Sequence, residues 1–161
     1  MSRDEPTRIG FLLHDVSRLR NTAFDQCMKP LGITRSQWWV LTGISRHGDC
    51  GITQTALARV LDLGKVAVGA QIGRLEARGY AERQLDPGDR RVNRVFLTSK
   101  GDAILNKISR VGTKMNAKVM HGISLNDQQS VALTLHHMKS NLIALDTVPG
   151  MRSARRRHGV A

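Results

Sequence analysis

Residues 80–101 read YAERQLDPGDRRVNRVFLTSKG, and this stretch decides the fold. Residues 80–86 and 91–98 have the composition of two short strands, and Pro87-Gly88-Asp89 between them supplies a turn. The segment predicts a β-hairpin rich in arginine, with Arg90, Arg91 and Arg94 at or near its tip. Immediately upstream the period changes. Residues 56–79, ALARVLDLGKVAVGAQIGRLEARG, predict two helices broken at Asp62-Leu63-Gly64, with Gly64 relieving steric strain in the turn. Thr53 opens the first, with Ala56, Leu57, Val60 and Leu61 pointing inward. The second runs over 65–78 and is closed by Gly79, in the position where a left-handed residue costs glycine least. Leu57, Leu61, Val68, Ile72 and Leu75 are expected to pack the pair together. Two short helices, a tight turn and then a basic hairpin form the layout of a winged helix-turn-helix, in which the helix after the turn enters the major groove of DNA.

Further out, Ile9, Leu12, Leu13, Val16, Ala23, Phe24, Cys27 and Met28 repeat at helical spacing until Pro30 and Gly32 end the run. Thr34 is placed to cap a helix in which Trp38, Leu41 and Ser45 share a face, and Gly48 and Gly51 punctuate its end. Beyond the hairpin, one helical stretch carries Ile104, Ile108, Val111 and Met115. Another carries Val131, Leu135, Met138, Leu142 and Leu145, whose alternating steps of four and three make the seam of a helix packed on a helix. The expected class is mainly α with a small β-hairpin wing (α+β). Residues 1–33 are expected to contribute to dimerisation, 34–100 to read DNA and 101–148 to complete a helical dimer interface, with 149–161 a disordered basic tail.

The 161 residues suffice for one compact domain or a small reading core plus an assembly element. A net charge of +12 and a pI near 11.0 attract a polyanion. No apolar run approaches the roughly 20 residues that span a bilayer, and the start, MSRDEPTR, has no apolar leader, so a cytoplasmic protein with no membrane partner is expected. Cys27 and Cys50 are expected to be reduced, partly buried thiols. A CxxC pair and a zinc pattern are both absent, and adjacent His136 and His137 diverge by about 100° on a helix. No metal or cofactor is expected. Neither is an enzyme: GxSxG, HExxH, P-loop and dinucleotide fingerprints are lacking, and the glycines of GAQIG sit in mid-helix without a preceding strand.

The order of Glu82, Arg83, Pro87, Asp89, Arg90, Arg91, Leu97, Thr98 and Gly101 closely resembles the wing of the MarR (multiple antibiotic resistance regulator) family. Residues 13–41, LHDVSRLRNTAFDQCMKPLGITRSQWWVL, resemble the first two helices of a branch of that family, and 56–79 resemble its reading unit. The resemblance runs from about residue 9 to residue 145. It implies a triangular homodimer that presents two winged domains to a pseudo-palindromic operator in double-stranded DNA, and a repressor released by a small molecule. It further implies that Asp89 orients Arg90 or Arg91 and that one of these touches DNA. A sequence-indifferent architectural nucleic-acid-binding protein is the alternative that charge alone would also explain.

On the helix over 65–78, Val68, Ile72 and Leu75 fall on one side and Val66 and Ala70 on the other, with Ala67 and Arg74 flanking. Lys65, Val66, Ala67, Gly69, Ala70, Gln71 and Arg74 are therefore candidate groove residues, together with Asp89, Arg90, Arg91 and Arg94 of the wing. Val66, Ala67, Gly69 and Ala70 permit close approach and methyl contact to thymine but few hydrogen bonds to bases. Specificity should lean on Lys65, Gln71, Arg74, the wing and DNA shape. Gln71 suits adenine, yet the family commonly buries a leucine there.

The family's effector pocket borders its first, second and fifth helices. Trp38 and Trp39, in a chain with 4% aromatic residues, beside His14, Arg18 and Arg46, suit an aromatic acid or its CoA thioester. The structural alternative is that one tryptophan is core and the other covers the contact with the first helix. Cys27 invites a peroxide-sensor reading, but Tyr80, the chain's one tyrosine, is far along the sequence.

Overall fold

The structure, a computed structural model, describes residues 5–89 and 91–146. The chain divides into two compact units, Met1–Asn116 and Ala117–Ala161. The basic tail expected over 149–161 and Arg90 of the wing lie outside the described residues.

In the first unit, helix α1 (Glu5–Met28) ends in a 3-10 turn, Lys29–Leu31, that contains Pro30. Phe24 and Met28 bury into the core, whereas Ile9, Phe11, Leu12, Val16 and Leu19 stay exposed along the same helix. Helix α2 (Arg35–Ser45) begins in a capping box. The Thr34 hydroxyl accepts the Gln37 amide at 3.3 Å, and the Gln37 side chain accepts the Thr34 amide at 3.0 Å, satisfying two donors that a helix start leaves unpaired. Its inner stripe is Gln37, Val40, Leu41 and Ile44, an i, i+3, i+4, i+7 set. This corrects the expected face: Ser45 falls at the rim and is exposed, and Trp38 is half-buried.

Thr53 caps helix α3 (Gln54–Leu61) by accepting the Ala56 amide at 3.2 Å. Leu57 and Ala58 are buried, but Val60 is exposed, contrary to expectation; it stands two residues from Ala58 and so across the helix from it. The turn into helix α4 (Lys65–Ala77) also differs from its sequence reading. Asp62 takes the left-handed conformation, with φ 52°, and its amide donates to the carbonyls of Ala58 and Arg59. Gly64 has an ordinary φ of −65° with open space where a side chain would stand, so it relieves no strain. The left-handed residue belongs directly after the last helical one, while Gly64, at the start of the next helix, needs only extended backbone.

The sheet has one more strand than the hairpin implies. Strands β2 (Ala81–Leu85) and β3 (Asn93–Leu97) pair antiparallel, and β1 (Ile52–Thr53) pairs with the other edge of β3, placing Ile52 opposite Val95 and Thr53 opposite Arg94. The order is β1-β3-β2. Helix α5 (Ser99–Val119) buries Ile104, Ile108 and Met115. Met28, Leu41, Ile44, Leu57, Val68, Ile72, Leu75 and Val95 are all fully or almost fully buried in one core, each burial contributing about 1.5–3 kcal/mol for side chains of this size. Cys27 is half-buried and Cys50 exposed, both as free thiols, so Cys50 departs from the partly buried placement expected of it.

The second unit holds helix α6 (Leu125–Asp146). Ser124 starts it, its hydroxyl accepting the Asp127 amide at 3.1 Å. Val131, Leu133, Leu135, Leu142, Ile143 and Leu145 are exposed in the single chain, and Met138 is half-buried.

Candidate nucleic-acid interface

Helix α4 is anchored by one face and open on the other. Val68, Ile72 and Leu75 are fully buried, and Lys65, Val66, Ala67, Ala70 and Arg74 are exposed, Val66 at 87%. Val66, at the head of the helix, takes no part in the buried core. Gly64 provides no side-chain cap, so the amides of the first turn remain open to an anion.

Two residues predicted to face the groove are placed otherwise. Gly69 is half-buried because the Gln54 side chain lies across it, with its amide nitrogen 2.6 Å from where a Cβ would be. From there Gln54 donates to the Lys65 carbonyl at 3.0 Å. The glycine thus seats α3 against the first turn of α4, a role for Gln54 that no sequence period announces. Gln71 is half-buried as well, and its side-chain oxygen is enclosed without a hydrogen-bond partner.

At the other end of α4, Arg78 joins several segments. Its guanidinium donates to the carbonyls of Gly32 and Leu31 and to the Tyr80 hydroxyl, and lies 4.9 Å from the centre of the Tyr80 ring. The Lys100 ammonium donates to the Arg78 carbonyl at 2.9 Å and also stands over that ring. These contacts fix the exit of the helix, where Gly79 turns the chain with φ 70° into the wing. Arg83 of β2 pairs with Glu76 of α4, so the first strand of the wing is tied to the same helix.

The wing tip is built on two aspartates. Asp86 accepts the amides of Gly88 and Asp89 at 2.8 and 3.2 Å and pairs with Arg94. Asp89 accepts the Arg91 amide at 3.0 Å and holds its guanidinium at 3.1 and 3.3 Å. The Arg94 guanidinium keeps the Asp86 carboxyl below its ordinary range, helped by the Gly88 amide; Arg91 does the same for Asp89 through its side chain and then its amide. The Arg91 side chain is 90% exposed, whereas that of Arg94 is 35% exposed and also donates to the carbonyls of Cys50 and Gly51.

The residues expected to hold a small molecule are brought together only in part. His14 and Arg18 of α1 line a cleft of about 310 Å³ with Ser17, Asn21, Asp25 and Arg35. A larger cleft of about 720 Å³ adjoins through Asp25 and Arg35 and runs past Lys29 to Ser36. Arg35, paired with Asp25 at 3.1 Å, carried no signal in the sequence beyond its place after the helix cap. The tryptophans line neither cleft. Trp38 packs on Phe24 with ring centres 4.6 Å apart, Trp39 stands 4.9 Å from Trp38 and is 46% exposed, and Arg46 is exposed at the far end of α2. No group of three or more metal-ligating side chains occurs among the described residues, and no helix there is long and apolar enough to cross a membrane.

A model of the MarR family matches residues 31–92. Among solved structures, a mutant MarR from E. coli complexed with operator DNA is 26% identical with a TM-score of 0.73, over 84% of this chain and 96% of that one. A MarR transcriptional regulator from Methanosarcina mazei is 25% identical with a TM-score of 0.73, over 86% and 98%. CouR from Rhodococcus jostii, bound to p-coumaroyl-CoA, is 24% identical with a TM-score of 0.72, over 85% and 95%, a likeness of fold. A helix pair whose second member is open on one face, followed by an arginine-bearing wing, defines a winged helix-turn-helix DNA-binding transcription regulator. Residues 31–92 match the MarR family, and the chain shares the fold of MarR-family regulators over most of its length.

Proposed function

We propose that the protein is a homodimeric repressor that reads a pseudo-palindromic operator with α4 and the wing, and leaves it when a small anionic effector binds. The observation that carries this reading is the open face of α4, Lys65, Val66, Ala67, Ala70 and Arg74, in one compact unit with a wing tip that presents Arg91 on Asp89. Small side chains let the helix approach the bases, Lys65 and Arg74 supply charge, and Arg91 meets phosphate or the minor groove. Arg90 shares that role by virtue of its place in the motif. Gly69 seats Gln54 of α3 rather than reading bases, and Gln71, half-buried, is left out of the reading face. The pairing partner for the exposed apolar stripe of α6 is a second copy of the chain, since two half-sites need two linked reading heads.

For the effector, we take an aromatic acid or its CoA thioester. The complex of CouR with p-coumaroyl-CoA motivates the class, and the cations Arg18, Lys29 and Arg35, with the His14 imidazole as a further donor, suit a carboxylate or phosphates around the two clefts. Trp39, the more exposed indole, remains a candidate for the aromatic part, while Trp38 serves packing and Arg46 stands apart.

The test is selection of bound duplexes from a randomised library, followed by titration of the selected duplex against competitor DNA and salt. A palindromic consensus bound at least about 1000-fold more tightly than competitor is expected of a specific regulator. Equal affinity for all duplexes would instead support the architectural reading.

A further inference from the structure

Arg94 has the composition of a DNA contact and the geometry of something else. It sits on β3 opposite Thr53 of β1, and its guanidinium reaches two ways. Nε donates to Asp86, the last residue before the wing turn, while Nη1 donates to the carbonyls of Cys50 at 3.1 Å and Gly51 at 3.4 Å. Those carbonyls belong to the segment that leads from α2 into β1. They are held from the other side as well: Gly51 has φ 58°, and the ring of Phe96 occupies the space of its missing Cβ, as close as 2.5 Å. Asp86 in turn accepts the amides of Gly88 and Asp89, and Asp89 carries Arg91. The contacts form one line from the helical body to the exposed arginine at the tip.

We infer that Arg94 and Asp86 are positioning residues for DNA recognition: a neutral latch that sets the wing on the body and aims Arg91, without touching phosphate themselves. This rests on the reading of the wing as a DNA-binding element. The exposures agree with it, since the side chains of Asp86 and Arg94 are 15% and 35% exposed against 42% and 90% for Asp89 and Arg91. A phosphate reaching Arg94 would meet a guanidinium whose charge the Asp86 carboxylate already offsets and whose Nε and Nη1 are already engaged. Held still, the tip loses less conformational freedom on binding than a loose hairpin would.

The two roles differ in the sign of one substitution. If Arg94 binds phosphate, Asp86 competes with DNA for it, and Asp86→Asn frees the cation and tightens binding. If Arg94 is a latch, Asp86→Asn keeps an oxygen for the Gly88 and Asp89 amides yet loses the ion pair, and binding weakens. The experiment uses the full chain and the duplex selected by the parent protein. Asp86→Asn and Arg94→Gln should each weaken binding by about tenfold, and the double variant should be little worse than either single one, because both cut the same link. Tighter binding by Asp86→Asn, or additive losses, would overturn the latch. A second measurement needs no DNA: in Arg94→Gln, the amides of Gly88, Asp89 and Val92 should exchange with solvent about tenfold faster, with the melting of the body nearly unchanged. Unchanged exchange overturns the latch directly. Failure of the parent protein to select any duplex would count against the DNA-binding reading alone, and the exchange result would still decide whether Arg94 holds the wing.

Discussion

Alanine substitution at three glycines should give three different results, and the differences follow from what a methyl group would meet. A Cβ on Gly101, in the first turn of α5, would stand 2.0 Å from the backbone oxygen of Tyr80 and 3.1 Å from its carbonyl carbon. Carbon and carbonyl oxygen normally approach to about 3.3 Å, so backbone must move by roughly 1 Å. The movement strains the junction where the Thr98 amide donates to the Tyr80 carbonyl, the Thr98 hydroxyl to the Gly79 carbonyl, and the Gly101 amide to the Thr98 hydroxyl. Overpacking of about 1–3 kcal/mol and one or two weakened hydrogen bonds combine to a loss of about 3 kcal/mol. That lowers the melting temperature by roughly 6–12 °C for a chain of this size. At Gly69 the obstacle is the end of the Gln54 side chain, which can swing away. The lost bond to the Lys65 carbonyl then offsets the helix propensity gained, leaving a change within about 0.5 kcal/mol. At Gly73, also in α4, nothing stands within 4 Å, and alanine should stabilise by about 0.5–1 kcal/mol. Urea and thermal unfolding followed by circular dichroism at one protein concentration would rank the three. A Gly101→Ala protein within about 1 kcal/mol of the parent, or a Gly69→Ala protein that falls as far as Gly101→Ala, would refute the reasoning.

Asp86 and Asp89 are both held below their ordinary pKa by the adjacent arginines. Their stabilisation of the wing is therefore complete above about pH 4 and lost as pH falls through the lowered values; amide exchange of residues 86–92 should rise in that acid range, less steeply in Asp86→Asn. Replacing Arg90 and Arg91 together by alanine should weaken operator binding and lower the slope of log affinity against log salt by about one unit per lost phosphate contact, which titration at several salt concentrations would detect. Leu135→Asp with Leu142→Asp should give monomers in sedimentation that no longer hold the operator; a persistent dimer would locate the interface elsewhere. An aromatic CoA thioester should quench Trp39 fluorescence and lower operator affinity in step, and Arg18→Gln should weaken the thioester by about tenfold; a thioester that releases DNA with no change in either variant or signal would remove α1 from its site.

Much of the fold could be read from residue spacing because its helices bury continuous apolar stripes and its caps are explicit, as at Thr34 and Thr53. What could not be read was short or remote. Strand β1 has two residues, too few to carry a period, and it exists because β3 offers an edge some forty positions later. In Asp62-Leu63-Gly64 the glycine drew attention, yet the left-handed turn fell to the aspartate, since position relative to the helix end outweighed residue preference. The wing behaved likewise. Asp89 and Arg91 are two residues apart and meet as the motif implied, whereas Arg94 resembles its neighbours in sequence and differs through acceptors 43 and 44 positions away. The adjacent tryptophans leave the helix in different directions, Trp38 inward onto Phe24 and Trp39 toward the surface, though their rings still meet at 4.9 Å.

That remote attachment gives the wing a place in time. β2 and β3 close locally, but a hairpin of two strands is barely stable by itself, and its anchorage on residues 50–53 closes a loop of more than forty residues. The helical body can form first, with Ile52, 2% exposed in the finished fold, uncovered until β3 arrives. On a ribosome this interval lasts while the intervening residues emerge, a few seconds at about 5–20 residues per second. Substitutions in the wing should accordingly speed unfolding while leaving the folding rate nearly untouched.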